Sequence, residues 1–194
     1  MKKIILTVFV FIASLAGALC EFPLIGGGLN SGSGFHYNNE TADRDLYRSP
    51  LLGFYLKALF ETKTPLKISP SFAFYIPREN KIPDIGTSYK STQTGEYQFN
   101  IDGDYSFFSP GWIDLYGLAG LNMTIAKIKW EDGTFSPSVD NALGFNFGVG
   151  LNFKITDKIT LNSEGKIIAG KYRQLMVNAG VLINFKAKKI FEQK

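Results

Sequence analysis

From residue 143 to 155 the chain alternates without interruption between large apolar side chains and small or polar ones. Leu143, Phe145, Phe147, Val149, Leu151, Phe153 and Ile155 occupy the odd positions. Gly144, Asn146, Gly148, Gly150, Asn152 and Lys154 occupy the even ones. A period of two places the sets on opposite faces of an extended strand, and no helix sustains it. Residues 97 to 107 repeat the pattern: Tyr97, Phe99, Ile101, Tyr105 and Phe107 oppose Gln98, Asn100, Asp102, Asp104 and Ser106. Weaker versions recur around 25–37, 52–61, 66–76, 113–125, 158–170 and 175–185, which makes eight strands.

The connections alternate in length. Thr62 to Pro65, Phe108 to Gly111 and Thr156 to Lys158 are tight turns, whereas polar loops are expected at 38–49, 77–96 and 130–141, with a short last one near Lys171 to Arg173. Short turns at one end and longer loops at the other suit an up-and-down antiparallel barrel, and an even strand count puts both termini at the short-turn end. Pro70 falls mid-strand, where it has no N–H to donate and a closed barrel offers no free edge; a local bulge is expected there.

Period two alone does not separate a membrane barrel from a soluble lipocalin-like ligand binder, whose apolar face turns inward. The smaller face decides. It carries Gly120, Gly144, Gly148, Gly150 and Gly180 with Asn122, Asn146 and Asn152, a poor surface for a strand in water but a good lining for a narrow eight-stranded lumen. The Phe-rich face would aggregate in water and suits acyl chains. In lipid every backbone polar group must be paired, so the sheet must close. All-β architecture as an eight-stranded antiparallel transmembrane barrel is the expected fold class.

Residues 1–20 read as a secretory signal peptide. Lys2 and Lys3 precede an apolar run from Ile4 to Ala13, and Ala16-Gly17-Ala18 supplies small residues before a cut after Ala18 or after Cys20. An uncleaved anchor, or lipidation of Cys20, is the alternative. The barrel would then occupy 21–186, and 187–194 would be a C-terminal tail on the periplasmic side, with Lys186, Lys188, Lys189 and Lys194 facing solvent or anionic headgroups. Without the signal, 19 basic residues face 17 acidic ones. There is no basic, aromatic-laced stripe for nucleic acid. One Cys and one His leave little for a disulfide framework or a zinc site, and neither cofactor nor metal is expected.

Three stretches, YGLAGLNMTIAKIKW (116–130), NFGVGLNFKITDKITLNSEGK (146–166) and NAGVLINFKAK (178–188), resemble the small outer-membrane β-barrel domain family, OmpA-like in architecture. The resemblance covers about residues 25 to 186. It implies an integral protein of a Gram-negative outer membrane, in contact with its lipids and with the barrel-insertion machinery. It also implies that Phe185 is the terminal aromatic that machinery reads, although this chain continues to Lys194. It implies no catalytic motif, and no segment resembles a peptidoglycan-binding domain.

Within such a barrel Lys57, Lys67, Lys154 and Lys166 would share the lumen with Glu61, Asp102, Asp104, Asp114 and Glu164. Buried charge is tolerated only when paired, so these nine form an expected salt-bridged filling, and a narrow solute channel is the alternative. Tyr75, Tyr97, Phe108, Trp112 and Trp130 lie near strand ends as a candidate aromatic girdle. His36 with Ser33 and Glu40 imitates the trio of a lipid A-modifying enzyme, and Asn38, Glu40, Asp43 and Asp45 form an oxygen-rich loop without calcium-loop spacing. A non-enzymatic barrel with a structural or surface-interaction role is the leading expectation, with loop 77–96, including Tyr89 and Lys90, as the surface for a partner.

Overall fold

The computed structural model describes residues 23–33, 36–37, 52–83, 89–130 and 138–185. They form strands only: β1 (Leu24–Gly32), β2 (His36–Tyr37), β3 (Leu52–Glu61), β4 (Leu66–Tyr75), β5 (Arg78–Pro83), β6 (Tyr89–Phe108), β7 (Ile113–Trp130), β8 (Ser138–Lys154), β9 (Ile159–Gly170) and β10 (Tyr172–Asn184). Eight of these are staves in the order β1-β3-β4-β6-β7-β8-β9-β10, and β1 pairs antiparallel with both β3 and β10, so the sheet closes. The short β2 prolongs the first stave against β10, and β5 prolongs the third, β4, against β6. No free edge remains along the closed staves, which is the condition for burying a sheet in hydrocarbon.

The faces follow the alternation. Leu143, Phe147 and Val149 point outward, 79%, 54% and 62% exposed, while Asn146 between them is fully buried. Outward Leu, Ile, Val and Phe recur on every stave, and the buried set inside is dominated by Asn, Asp, Glu, Gln, Lys and Tyr. A soluble ligand-binding barrel would have these faces exchanged.

Three expectations are corrected. Within segment 77–96, Arg78–Pro83 and the residues from Tyr89 onward are strand and not loop: β5 pairs with the first part of β6 from Arg78↔Thr94 to Pro83↔Tyr89, and 84–88 lie outside the described residues. Likewise β7 runs to Trp130 and β8 resumes at Ser138, inside the expected loop 130–141. Sequence alternation fades there, and the strands are carried by backbone pairing. Pro70 makes no bulge. It pairs in unbroken register with Ile101 of β6, and toward β3 the ladder lapses between Lys57↔Ser71 and Phe60↔Ile68 without a register shift. The missing N–H is absorbed as a gap opposite Ala58. The irregularity lies instead in β6, between Ser106 and Phe108, and it leaves both Phe107 and Phe108 facing outward.

At the short-turn end the connections are knitted by backbone bonds: Ser106 N to Pro65 O (3.0 Å), Lys154 N to Trp112 O (2.8 Å) and Asn184 N to Lys158 O (2.9 Å). Both ends of the described barrel, Leu24 and Asn184, pair at this end.

Candidate functional site

The lumen is crossed by side chains. Lys57 on β3 pairs with Glu164 on β9 and lies 3.2 Å from Asp104 on β6. Its ammonium also sits 5.5 Å from the centre of the Tyr116 ring. Tyr116 donates to Glu164 (2.7 Å), Asn178 donates to the other Glu164 oxygen (3.3 Å), and Tyr55 reaches across from β3 to Asn162 (3.1 Å). Glu164 therefore gathers groups from β3, β7 and β10. One layer further from the short turns, Lys166 pairs with Asp102 at 3.1 Å, and Asn146 donates to Asp102 (2.7 Å) and Asn100 (3.0 Å). Asn122 and Thr124 extend this chain of amides and hydroxyls. Apart from Asn178–Glu164 and the Asn122 bonds, which join adjacent staves or lie within one strand, these contacts link staves that are not neighbours, so the interior is cross-braced.

Glycine makes the bracing possible. A Cβ on Gly150 would lie 2.2 Å from the Tyr116 ring, and one on Gly120 would lie 2.3 Å from an Asp102 carboxylate oxygen. The ring and the carboxylate lie flat against backbone that any larger residue would push away. The Gly-rich minor face is thus the complement of the large lumen side chains.

Seven of the nine expected lumen charges meet in these pairs, the last being Lys67 with Asp114, to which Asn152 also donates (3.2 Å). Glu61 and Lys154 do not join them. They line a shallow vestibule of about 80 Å³ at the short-turn mouth, with Leu59, Trp112 and the Lys67–Asp114 pair, and Lys154 is exposed. Both lie at the last inward position of their strands, where the barrel opens to water and a charge needs no partner.

Two buried polar residues of the next layer, Glu96 and Gln174, escaped the sequence reading. Glu96 and Gln98 on β6 are fully buried, and Gln98 bonds Glu96 and then spans the lumen to Gln174 on β10 (2.8 Å). The signal was available: Glu96 is the next even position before Gln98, but it fell in the segment taken for a loop. Among the described residues five buried acids (Glu96, Asp102, Asp104, Asp114, Glu164) therefore share the lumen with Lys57, Lys67 and Lys166.

Of the aromatic girdle, Tyr97, Phe108 and Trp112 face outward and are exposed. Tyr75 does not. It is 3% exposed and packs inside with Tyr55, Ala73, Ile168 and Met176, because it shares the inward parity of Lys67, Ser69, Ser71 and Ala73. The Trp130 side chain lies outside what is described. Phe185 follows β10 and is exposed on the outer face. Ser33 is held at the β10 edge, its hydroxyl accepting from Leu175 N (3.1 Å). The His36 backbone pairs with Arg173, while the His36 side chain, Glu40, loop 38–49, the signal segment and the tail from 186 lie outside the described residues.

No protein-family model matches the chain, and no curated protein matches it in sequence. Solved structures do match in fold. The attachment invasion locus protein Ail of Yersinia pestis superposes with a TM-score of 0.53 at 15% identity, covering 83% of this chain and 96% of Ail. Neisserial surface protein A superposes with a TM-score of 0.56 at 16% identity, covering 84% and 96%. The N-terminal barrel domain of Pseudomonas aeruginosa OprF gives 0.54 at 14% identity, covering 86% and 99%. With its closed antiparallel sheet of eight staves, this chain has the fold of the small outer-membrane β-barrels.

Proposed function

We propose that this chain is an integral outer-membrane protein of a Gram-negative envelope, non-enzymatic, with a side-chain-filled lumen and a structural or surface-interaction role. The observation that carries the reading is the inverted distribution of polarity. Paired charges and amides fill the inside, and Phe, Leu, Ile and Val cover the outside. Water cannot be the solvent of such an outer wall, and a bilayer can.

Orientation follows from the same reading. The short turns and both ends of the barrel face the periplasm, and the long β5–β6–β7 extension stands outside the cell. Residues 1–20 are the cleaved export signal, 21–186 the barrel and 187–194 a periplasmic tail. Tyr97, Phe108, Trp112 and Trp130 belong to the interfacial belts, and Phe185 is the residue read by the insertion machinery. The outer extension, Arg78 to Thr94, is the surface offered to a partner.

Cell fractionation with gel mobility before and after boiling tests this. The mature chain is expected in the outer-membrane fraction, migrating faster unboiled than boiled. Recovery from the periplasm without detergent, with no heat-dependent shift, would overturn it. In planar bilayers the braced lumen is expected to show no steady single-channel conductance; regular openings would favour the narrow-channel alternative.

A further inference from the structure

We propose that the outer wall of β4, β6 and β7 is a binding site for a phosphorylated glycolipid of the outer leaflet, an inference that rests on the outer-membrane reading above. Phe72 is the hub of a ring cluster on this wall. Its centroid lies 4.8 Å from Phe99, 6.3 Å from Phe74 and 6.4 Å from Tyr97, and Phe74 stacks on Phe54 at 5.4 Å. Phe54, Phe74, Phe99 and Tyr97 are all exposed. Rings already fixed by one another lose little freedom when an acyl chain packs on them, so the cluster is a preorganised apolar plate.

The cationic part sits immediately above. Across the sheet Phe54, Phe74, Tyr97 and Ile125 share one register row. The next outward positions of β7 are Lys127 and Lys129, both exposed. Lys127 stands opposite Gly95, so no β6 side chain covers it, and Lys129 stands opposite Gln93. The two lysines are about 7 Å apart along the strand. They sit just past a tyrosine that marks the edge of the apolar band, where an anionic headgroup meets them in a medium less screening than water. Glu79, opposite Gln93 on β5, is the outward acid at this level among the described residues, two strands from Lys129.

Height selects a glycolipid over a phospholipid. β6 begins at Tyr89, eight residues above Tyr97. That is about 27 Å of strand, or about 20 Å of height at a barrel tilt of about 40°, against a headgroup layer of only about 5–8 Å per leaflet. A phosphodiester headgroup would touch the foot of this wall; a phosphorylated sugar headgroup would run up it.

The test reconstitutes the full mature chain into phosphatidylcholine vesicles doped in turn with bisphosphorylated lipid A, its dephosphorylated form or phosphatidylglycerol. Lipid retained after gentle extraction is counted by native mass spectrometry. Lipid A should be retained about tenfold or more over the other two, and K127Q/K129Q should lose that preference. K158Q, at the opposite rim, should keep it, and heat-dependent gel mobility confirms that each variant is folded. Equal retention by K127Q/K129Q, or equal retention of the dephosphorylated lipid or of phosphatidylglycerol, overturns the site while leaving the barrel in its membrane. Failure to insert into any vesicle overturns the outer-membrane reading and the site with it.

Discussion

Lys57 concentrates the logic of the interior. Its side chain is 2% exposed and its ammonium faces two carboxylates from staves far apart in sequence. Replacing it with Met would strand Asp104 and Glu164 as neighbouring buried anions, at a cost of about 3–5 kcal/mol. Urea titration of the folded chain in vesicles should show a large fall in midpoint for K57M, partly restored in K57M/E164Q; an unchanged midpoint for K57M would mean that water reaches the site. Glycines provide a second residue-scale contrast. Gly150 lies under the Tyr116 ring, whereas a Cβ on the outward Gly165 would meet nothing within 4 Å. G150V should lose about 1–3 kcal/mol in the same titration, and G165A should stay within about 0.5 kcal/mol of the parent. Comparable losses at both positions would show that strand propensity, not the ring's approach, governs them.

Single staves show how much each alternation could reveal. From Leu143 to Lys154 on β8 the face of every residue was legible, because the alternation there is unbroken, whereas the start of the strand fell in the segment read as a loop. An arginine at Phe147 should cost about 2–4 kcal/mol of folding free energy in a bilayer, as expected near mid-membrane; no measurable cost would place that position in water. β4 was harder to read. Its faces were legible, but Pro70 suggested a bulge where the sheet merely skips a bond, and P70V should regain up to about 1 kcal/mol by restoring a donor toward Ala58. Loss of stability in P70V would show that the ladder gap is needed. Tyr75 was assigned by nearness to a strand end although its parity already placed it inside. Glu61 and Lys154 were assigned by parity although they lie where the lumen meets water. Parity fixes the face and height fixes the solvent, and only a register resolves height. The reaches of β5, β6, β7 and β8 far from the short turns gave no alternation, and on the proposed outer-membrane reading neither face is constrained there. Glu96 was hidden with them.

At the scale of the whole molecule, the barrel divides labour between its two faces. The inside is rigid because Gln98–Gln174, Lys166–Asp102 and the contacts around Glu164 join staves across the lumen. The outside is uniform in polarity but not in shape, with a ring cluster on β3, β4 and β6 and a taller wall above it. Fold and polarity were recoverable from the chain because a sustained period of two with a Gly- and Asn-rich minor face leaves few alternatives. A specific role was not, because the fold is shared by proteins whose identity with this chain is only 14–16%. The account depends on which solvent touches the phenylalanines. Nuclear Overhauser measurements on the mature chain in lipid nanodiscs address that directly. Cross-peaks from acyl-chain methylenes to the Phe145, Phe147 and Val149 side chains are the predicted result, with none to the amides of Asn146 and Asn122. Rings that contact water or one another across a central cavity, with those asparagines in bulk solvent, would contradict it.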